Sequence, residues 1–156
     1  MKTDPPTTAG DALGARWIRM ERRLDASHER AYRAWADPEE LGRWLAPEVD
    51  GGLAPGTRTW LLWPHARVWW DVIEAQAGTR LVFRRAWAPD DRLVTTATVS
   101  IVPVGYGTRV EIEDGPFPLD VPDGMDVWAR ALTTWAETLV MLRAYLDFSV
   151  DVRRSR

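Results

Sequence analysis

Between Arg58 and Asp114 the chain runs as β-type segments joined by turns too short to hold a crossover. RTWLLW and RVWWDVIEA flank PHA, QAG leads into TRLVFRRAW, APDDR into LVTTATVSIV, and PVGYG into TRVEIED. Strands joined so briefly must pair antiparallel, because a parallel pair needs a connection of roughly a dozen residues or more. Upstream, RWIRMERRL alternates in the same way, with Ile18, Met20 and Leu24 on one face and Arg19, Glu21 and Arg23 on the other. Six strands are predicted, and the apolar face of such a sheet must be covered. Only one segment is long enough to lie across it. From about residue 122 to residue 148, Trp128, Leu132, Trp135, Leu139, Leu142 and Leu146 fall on one helical stripe.

Two short helices are predicted between the first strand and the rest. Ser27 can cap SHERAYRAWA, whose inner face is Ala31, Tyr32 and Trp35. Asp37 can cap the next, with Pro38 at its first position and Glu40 placed for a capping box. Leu41, Trp44 and Leu45 form its apolar stripe and Pro47 ends it, while Gly51, Gly52, Pro55 and Gly56 mark a loop. The expectation is an α+β chain: a curved six-stranded antiparallel sheet wrapped around a long C-terminal helix, with two short helices after strand 1. Residues 1–15 read as a flexible leader, residues 16–148 as the folded domain and residues 149–156 as a polar tail.

The totals narrow the function classes. At 156 residues with 46% apolar and 28% charged residues, this is one ordinary globular domain. A net charge of −3 gives no basic footprint for a nucleic acid. Without cysteine there are no disulfides, thiolate metal sites or cysteine nucleophiles. Two separated histidines offer no metal constellation, and no metal or cofactor is expected. No serine has a nucleophile-elbow context and no Gly-rich turn opens a helix after a strand. No apolar run is long enough to insert in a membrane, and the start lacks a signal-peptide core, so the expected place is the cytoplasm.

Four stretches, in chain order, resemble one family. DASHERAYRAWADPEELGRWLAP is similar to its opening, VIEAQAGTRLVF to its Val-x-Glu, turn, Arg-Leu-x-aromatic segment, GTRVEIEDGPF to its Gly-Thr-Arg hairpin, and WARALTTW to the start of its last helix. The family is the helix-grip superfamily of SRPBCC, or START-like, proteins. The branch resembled is the one named for the activator of the ninety-kilodalton heat-shock ATPase. The chain departs from it at QAG, where paired prolines are frequent, and at Asp114, where a histidine is common. The resemblance implies a helix-grip fold. It leaves the chemistry open, because the superfamily includes binders, cyclases, hydrolases and chaperone activators.

Strand alternation assigns the groove between sheet and helix. Val68, Trp70, Val72 and Glu74 should face inward from one strand, Leu81, Phe83, Arg85 and Trp87 from the next, and Val110, Ile112 and Asp114 from the last. Ten residues are expected to bind a ligand there: Trp44, Trp70, Glu74, Phe83, Arg85, Trp87, Asp114, Trp128, Leu132 and Trp135. Glu74, Arg85 and Asp114 are charges on apolar faces, and each needs a partner, a water or a ligand. Trp17 and Trp69 have the opposite parity and belong to the outer face. Of Trp60 and Trp63 only one can point inward, and parity alone does not say which. His65 sits in a turn and His28 in the first turn of a helix, both best read as surface residues.

The first functional expectation is binding of a small hydrophobic or aromatic molecule. One alternative is a cyclase- or hydrolase-like enzyme using Glu74 or Asp114 to move a proton. Another is a protein-interaction module of the chaperone-ATPase-activator type. Trp17 and Trp69, if exposed together, would favour that module or a homodimer.

Overall fold

The computed structural model describes residues 14–87 and 91–155. The leader expected over residues 1–15 lies outside the described residues except for Gly14 and Ala15, and so do Ala88, Pro89 and Asp90 of the APDDR turn. The elements run β1 (Ala15–Leu24), α1 (His28–Ala36), α2 (Pro38–Trp44), β2 (Glu48–Asp50), β3 (Arg58–Trp63), β4 (Ala66–Gln76), β5 (Arg80–Ala86), β6 (Val94–Val104), β7 (Gly107–Pro118) and α3 (Gly124–Phe148). The strands make one antiparallel sheet in the order β1-β7-β6-β5-β4-β3-β2.

The sheet has seven strands, one more than its alternation predicts. The extra strand, β2, is three residues long and pairs Val49 with Leu61 at the sheet edge. So short an element has too few positions for alternation to register. The two short helices form where their caps lie. The Ser27 hydroxyl accepts from the Arg30 amide and the Asp37 carboxylate from the Glu39 amide. Glu40 closes no capping box. It is buried, accepting from Arg30 Nη1 at 2.8 Å and from the Tyr145 hydroxyl, and so ties α1, α2 and α3 together.

α3 lies across the inner face of the sheet. Val127, Ala131, Trp135, Leu139 and Leu142 are buried against inward side chains such as Leu81, Phe83, Val99 and Ile112. Near its C-terminal end the Asp147 carboxylate accepts from the backbone amides of Asp25 and Ala26, at 3.0–3.2 Å, which fastens the turn after β1 to the helix. None of the described helices is long and apolar enough to cross a membrane.

The outer face answers where the other tryptophans go. Trp60 and Trp69 are cross-strand partners there. Arg67 lies over Trp60 at 5.0 Å, Arg58 over Trp69 at 4.3 Å, and Arg19 over Trp17 at 5.9 Å. Trp69 is only 8% exposed, and its indole donates to Asp91 at 3.1 Å. Trp17 lies against Gly115, where an added Cβ would fall 2.6 Å from the indole. The outer indoles are therefore roofed by guanidinium groups rather than bared, a cation–π arrangement that leaves the charge in water. Trp17 and Trp69 are not exposed together.

Candidate functional site

The inner face is organised by aromatic rings. Trp35, on α1, is fully buried, with the rings of Trp44, Trp70 and Trp135 at 5.0, 6.4 and 6.4 Å. Trp70 stacks on Phe83 at 4.0 Å and 17°, and Trp135 has Phe83 and Trp87 each at 6.5 Å. Trp44 donates its indole N–H to the Ala34 carbonyl at 2.9 Å, and Trp87 donates to the Thr95 hydroxyl at 2.8 Å. The Trp35 and Trp70 indole nitrogens are buried without a partner among the described residues.

Beside this cluster lies a cavity of about 460 Å³, between β3, β4, β5 and the middle of α3. Trp63, Val68, Trp70, Trp135 and Met141 give it apolar walls, with Arg85, Thr138 and Glu137 as polar ones. Leu45 and Pro47 close one side and Arg153 reaches in from the C-terminal turn. Its volume lies in the range of small-molecule sites, roughly 300–1,000 Å³, and its composition matches them: apolar walls with a few polar groups. Another hollow, on the outer face, is lined by Arg19, Glu21, Arg80, Glu111 and Glu113, exposed side chains engaged in ion pairs, and it can bury little of an apolar molecule.

Two charges sit at the base of the inner face. Asp114, on β7, is 0% exposed, between Ile18 of β1 and Ala97 of β6. The Trp135 indole donates to Asp114 Oδ2 at 2.8 Å. Oδ1 has no hydrogen-bond partner among the described residues. Burial pushes the Asp114 carboxyl above the ordinary carboxylate range, against the opposing pull of Thr95, Trp135, Arg85 and Trp87. Arg85, on β5, lies over Trp87, its guanidinium carbon 3.4 Å from the ring centroid. Its Nε is buried and has no hydrogen-bond partner among the described residues. Burial pushes the guanidinium down to about 10, with Asp114 opposing, so it remains a cation at neutral pH.

Of the ten residues expected at the site, Trp70, Arg85 and Trp135 line the cavity. Phe83, Trp44, Trp87 and Asp114 stand one layer behind, packed against those three or against Trp35. Trp128 and Leu132 are half-buried on the first half of α3, packed against the core, with Arg16 over the Trp128 ring at 5.5 Å. Glu74 is a correction. The register of β4 against β5 shifts between Val72 and Glu74, a β-bulge that reverses the alternation. Ala75 therefore pairs with the inward Leu81, and Glu74 turns outward to Arg80 at 3.1 Å with its side chain 47% exposed.

Trp63 is the inward member of its pair, because Thr59, Leu61 and Trp63 share a face and the first two are buried. Thr138 and Met141 follow Trp135 by three and six residues, a spacing that could have found them. Arg153 had no such signal. It belongs to the segment read as a polar tail, yet Val152–Ser155 form a 3₁₀ turn, and Arg153 bonds to Asp151 at 2.9 Å and to the Arg43 carbonyl at 2.6 Å. Among the described residues no group of His, Cys, Asp and Glu is arranged to hold a metal ion.

Solved structures share this architecture. Protein MLL2253 of Mesorhizobium loti is 22% identical, with a TM-score of 0.75 over 86% of this chain and 99% of that one. The Aha1 dimer of Colwellia psychrerythraea is 19% identical, with a TM-score of 0.74 over 84% of this chain and 96% of that one. CalU16 of Micromonospora echinospora is 20% identical, with a TM-score of 0.67 over 84% of this chain and 74% of that one. Likeness at these identities shows the fold. No curated protein matches the chain in sequence. A family model described as "Activator of Hsp90 ATPase homolog 1-like protein" matches residues 25–147, most of the described domain, and the chain belongs to that family.

Proposed function

We propose that this chain is a cytoplasmic binding protein for a small hydrophobic or aromatic molecule, held in the cavity between β3, β4, β5 and α3. One observation carries the reading: an aromatic-walled space of about 460 Å³ stands open beside a core whose other tryptophans are tightly packed. Protein interiors seldom leave such a gap, because each unfilled volume forfeits dispersion contacts.

Native mass spectrometry of the purified protein, followed by tryptophan fluorescence titration with neutral polycyclic aromatics, tests it. A retained or added ligand is expected. Thr138→Trp, which fills the cavity from the helix side, should weaken binding by about tenfold or more, a loss of about 1.4 kcal/mol. No bound species and unchanged fluorescence across the panel would sink the reading.

The enzymatic alternative now rests on Asp114 alone, since Glu74 faces away from the groove. Interaction with a heat-shock ATPase rests on the family's name. Self-association is favoured by the dimeric Colwellia relative, and a single monomeric species in sedimentation at all concentrations would remove it.

A further inference from the structure

The cavity's charge is one-sided. Arg85 and Arg153 both line it, and each keeps a buried guanidinium nitrogen without a partner, Nε of Arg85 and Nη1 of Arg153. Arg153 is otherwise satisfied by Asp151 and the Arg43 carbonyl. Arg85 is not. It makes no hydrogen bond and no ion pair with any described residue. Asp114 acts on it only through space, and that carboxylate already receives the Trp135 indole. Among the described residues the cavity wall has one carboxylate, Glu137, and it has a partner of its own.

Arg85 is half-buried, and a cation partly withdrawn from water without a bonded counter-charge carries a desolvation cost that an anionic group in the cavity would offset. The guanidinium carbon lies 3.4 Å from the Trp87 ring centroid, and the terminal nitrogens, unlike Nε, are not sealed from the cavity and can donate. Charge-assisted hydrogen bonds from such a plane are about twice as strong as neutral ones.

We infer that the cavity selects molecules pairing an aromatic body with one anionic oxygen group, a carboxylate or phenolate, and that Arg85 is the side chain that reads that group. This names the ligand class of the site proposed above and rests on that reading. The aromatic body would lie against Trp63, Trp70 and Trp135, with its anion turned to the β5 wall.

The test is a matched pair of probes, 2-naphthoate and 2-naphthamide, which share shape and differ in charge. Each is titrated into the full chain and followed by tryptophan fluorescence and calorimetry. Wild type should bind the acid about tenfold more tightly than the amide, a difference of about 1.4 kcal/mol. Arg85→Met should erase that preference, bringing acid and amide to within about threefold of each other. Arg85→Lys, which keeps the charge but loses the planar stack, should retain only part of it. If wild type binds acid and amide equally, the assignment of an anion is wrong while the cavity stands as a site. The assignment is equally wrong if Arg85→Met or Arg85→Lys keeps the full preference. If neither probe binds wild type, both the anion reading and the cavity reading fail. If Arg85→Met does not fold, the acid–amide comparison in wild type still tests the anion and Arg85→Lys still tests the side chain.

Discussion

Trp35→Ala is expected to cost about 3–5 kcal/mol of folding stability, the range for truncating a large buried aromatic, and to lower the melting midpoint by roughly 10 °C for a chain of this size. The expectation follows from where several elements meet. Trp35 comes from α1, Trp44 from α2, Trp70 from β4 and Trp135 from α3, and the first has the other three around it within 6.4 Å. Its Nε1 has no partner, so substitution forfeits no hydrogen bond. The whole loss is packing and ring–ring contact. Trp35→Phe should therefore recover more than half of it, since an apolar ring refills most of the space. Denaturant unfolding measures both. A loss below about 1 kcal/mol for Trp35→Ala would mean that the neighbouring rings close the gap, and that this cluster is adaptable rather than rigid.

Rigidity there matters for the cavity. Trp70 is fixed between Trp35 and Phe83, and Trp135 between Trp35, Phe83 and the Asp114 carboxylate. Both rings border the open space, each with only 2% of its surface exposed. A wall held on its far side cannot collapse inward, and this accounts for the survival of a cavity in a chain so rich in indole. The density of tryptophan between Trp60 and Trp70 divides accordingly. Trp63 and Trp70 face the groove, whereas Trp60 and Trp69 lie under arginines on the outer face.

Much of this is legible in the amino-acid order. Strand alternation places Trp70, Phe83, Arg85 and Asp114 inward, and helical spacing buries Trp135, Leu139 and Leu142. What alternation does not reveal is where it stops. The bulge between Val72 and Glu74 depends on the pairing of β4 with its neighbour, and one inserted residue sends every later side chain to the other face. The exposed Ile73, at 50%, and the inward Ala75 are its traces, and neither is unusual in a strand. Trp128 and Leu132 fail differently. The stripe correctly puts them against the sheet, but periodicity says nothing of which turns of the helix face packed core and which face open space. Arg153 lies in a segment with no period at all, and its position is set by Asp151 and by a carbonyl 110 residues away.

Asp114 gives the most discriminating measurement of the buried electrostatics. Its carboxyl is pushed up chiefly by burial, so the folded chain holds a proton that the unfolded chain releases at an ordinary carboxylate pKa near 3.8. Below that value both states are protonated and the residue imposes no charge-burial cost. As pH rises from there toward the folded pKa, the unfolded state alone gains the ionised form, and stability falls. Above the folded pKa the loss is complete and constant. The attraction of Arg85 is already contained in the folded value, since it is one of the opposing causes. Asn at this position keeps an acceptor for the Trp135 indole and never ionises. The stability of Asp114→Asn relative to wild type should therefore move in favour of Asn as pH rises from about 3 through the acid range, then level off. Each unit by which the folded pKa stands above the unfolded one adds about 1.4 kcal/mol to that movement. Urea unfolding of both proteins across the range measures it. A difference that stays flat, or moves toward wild type, would place Asp114 as an ordinary carboxylate stabilised by Arg85. Asp114 could then not hold a proton at neutral pH, and the acid–base alternative that rests on it would go with it.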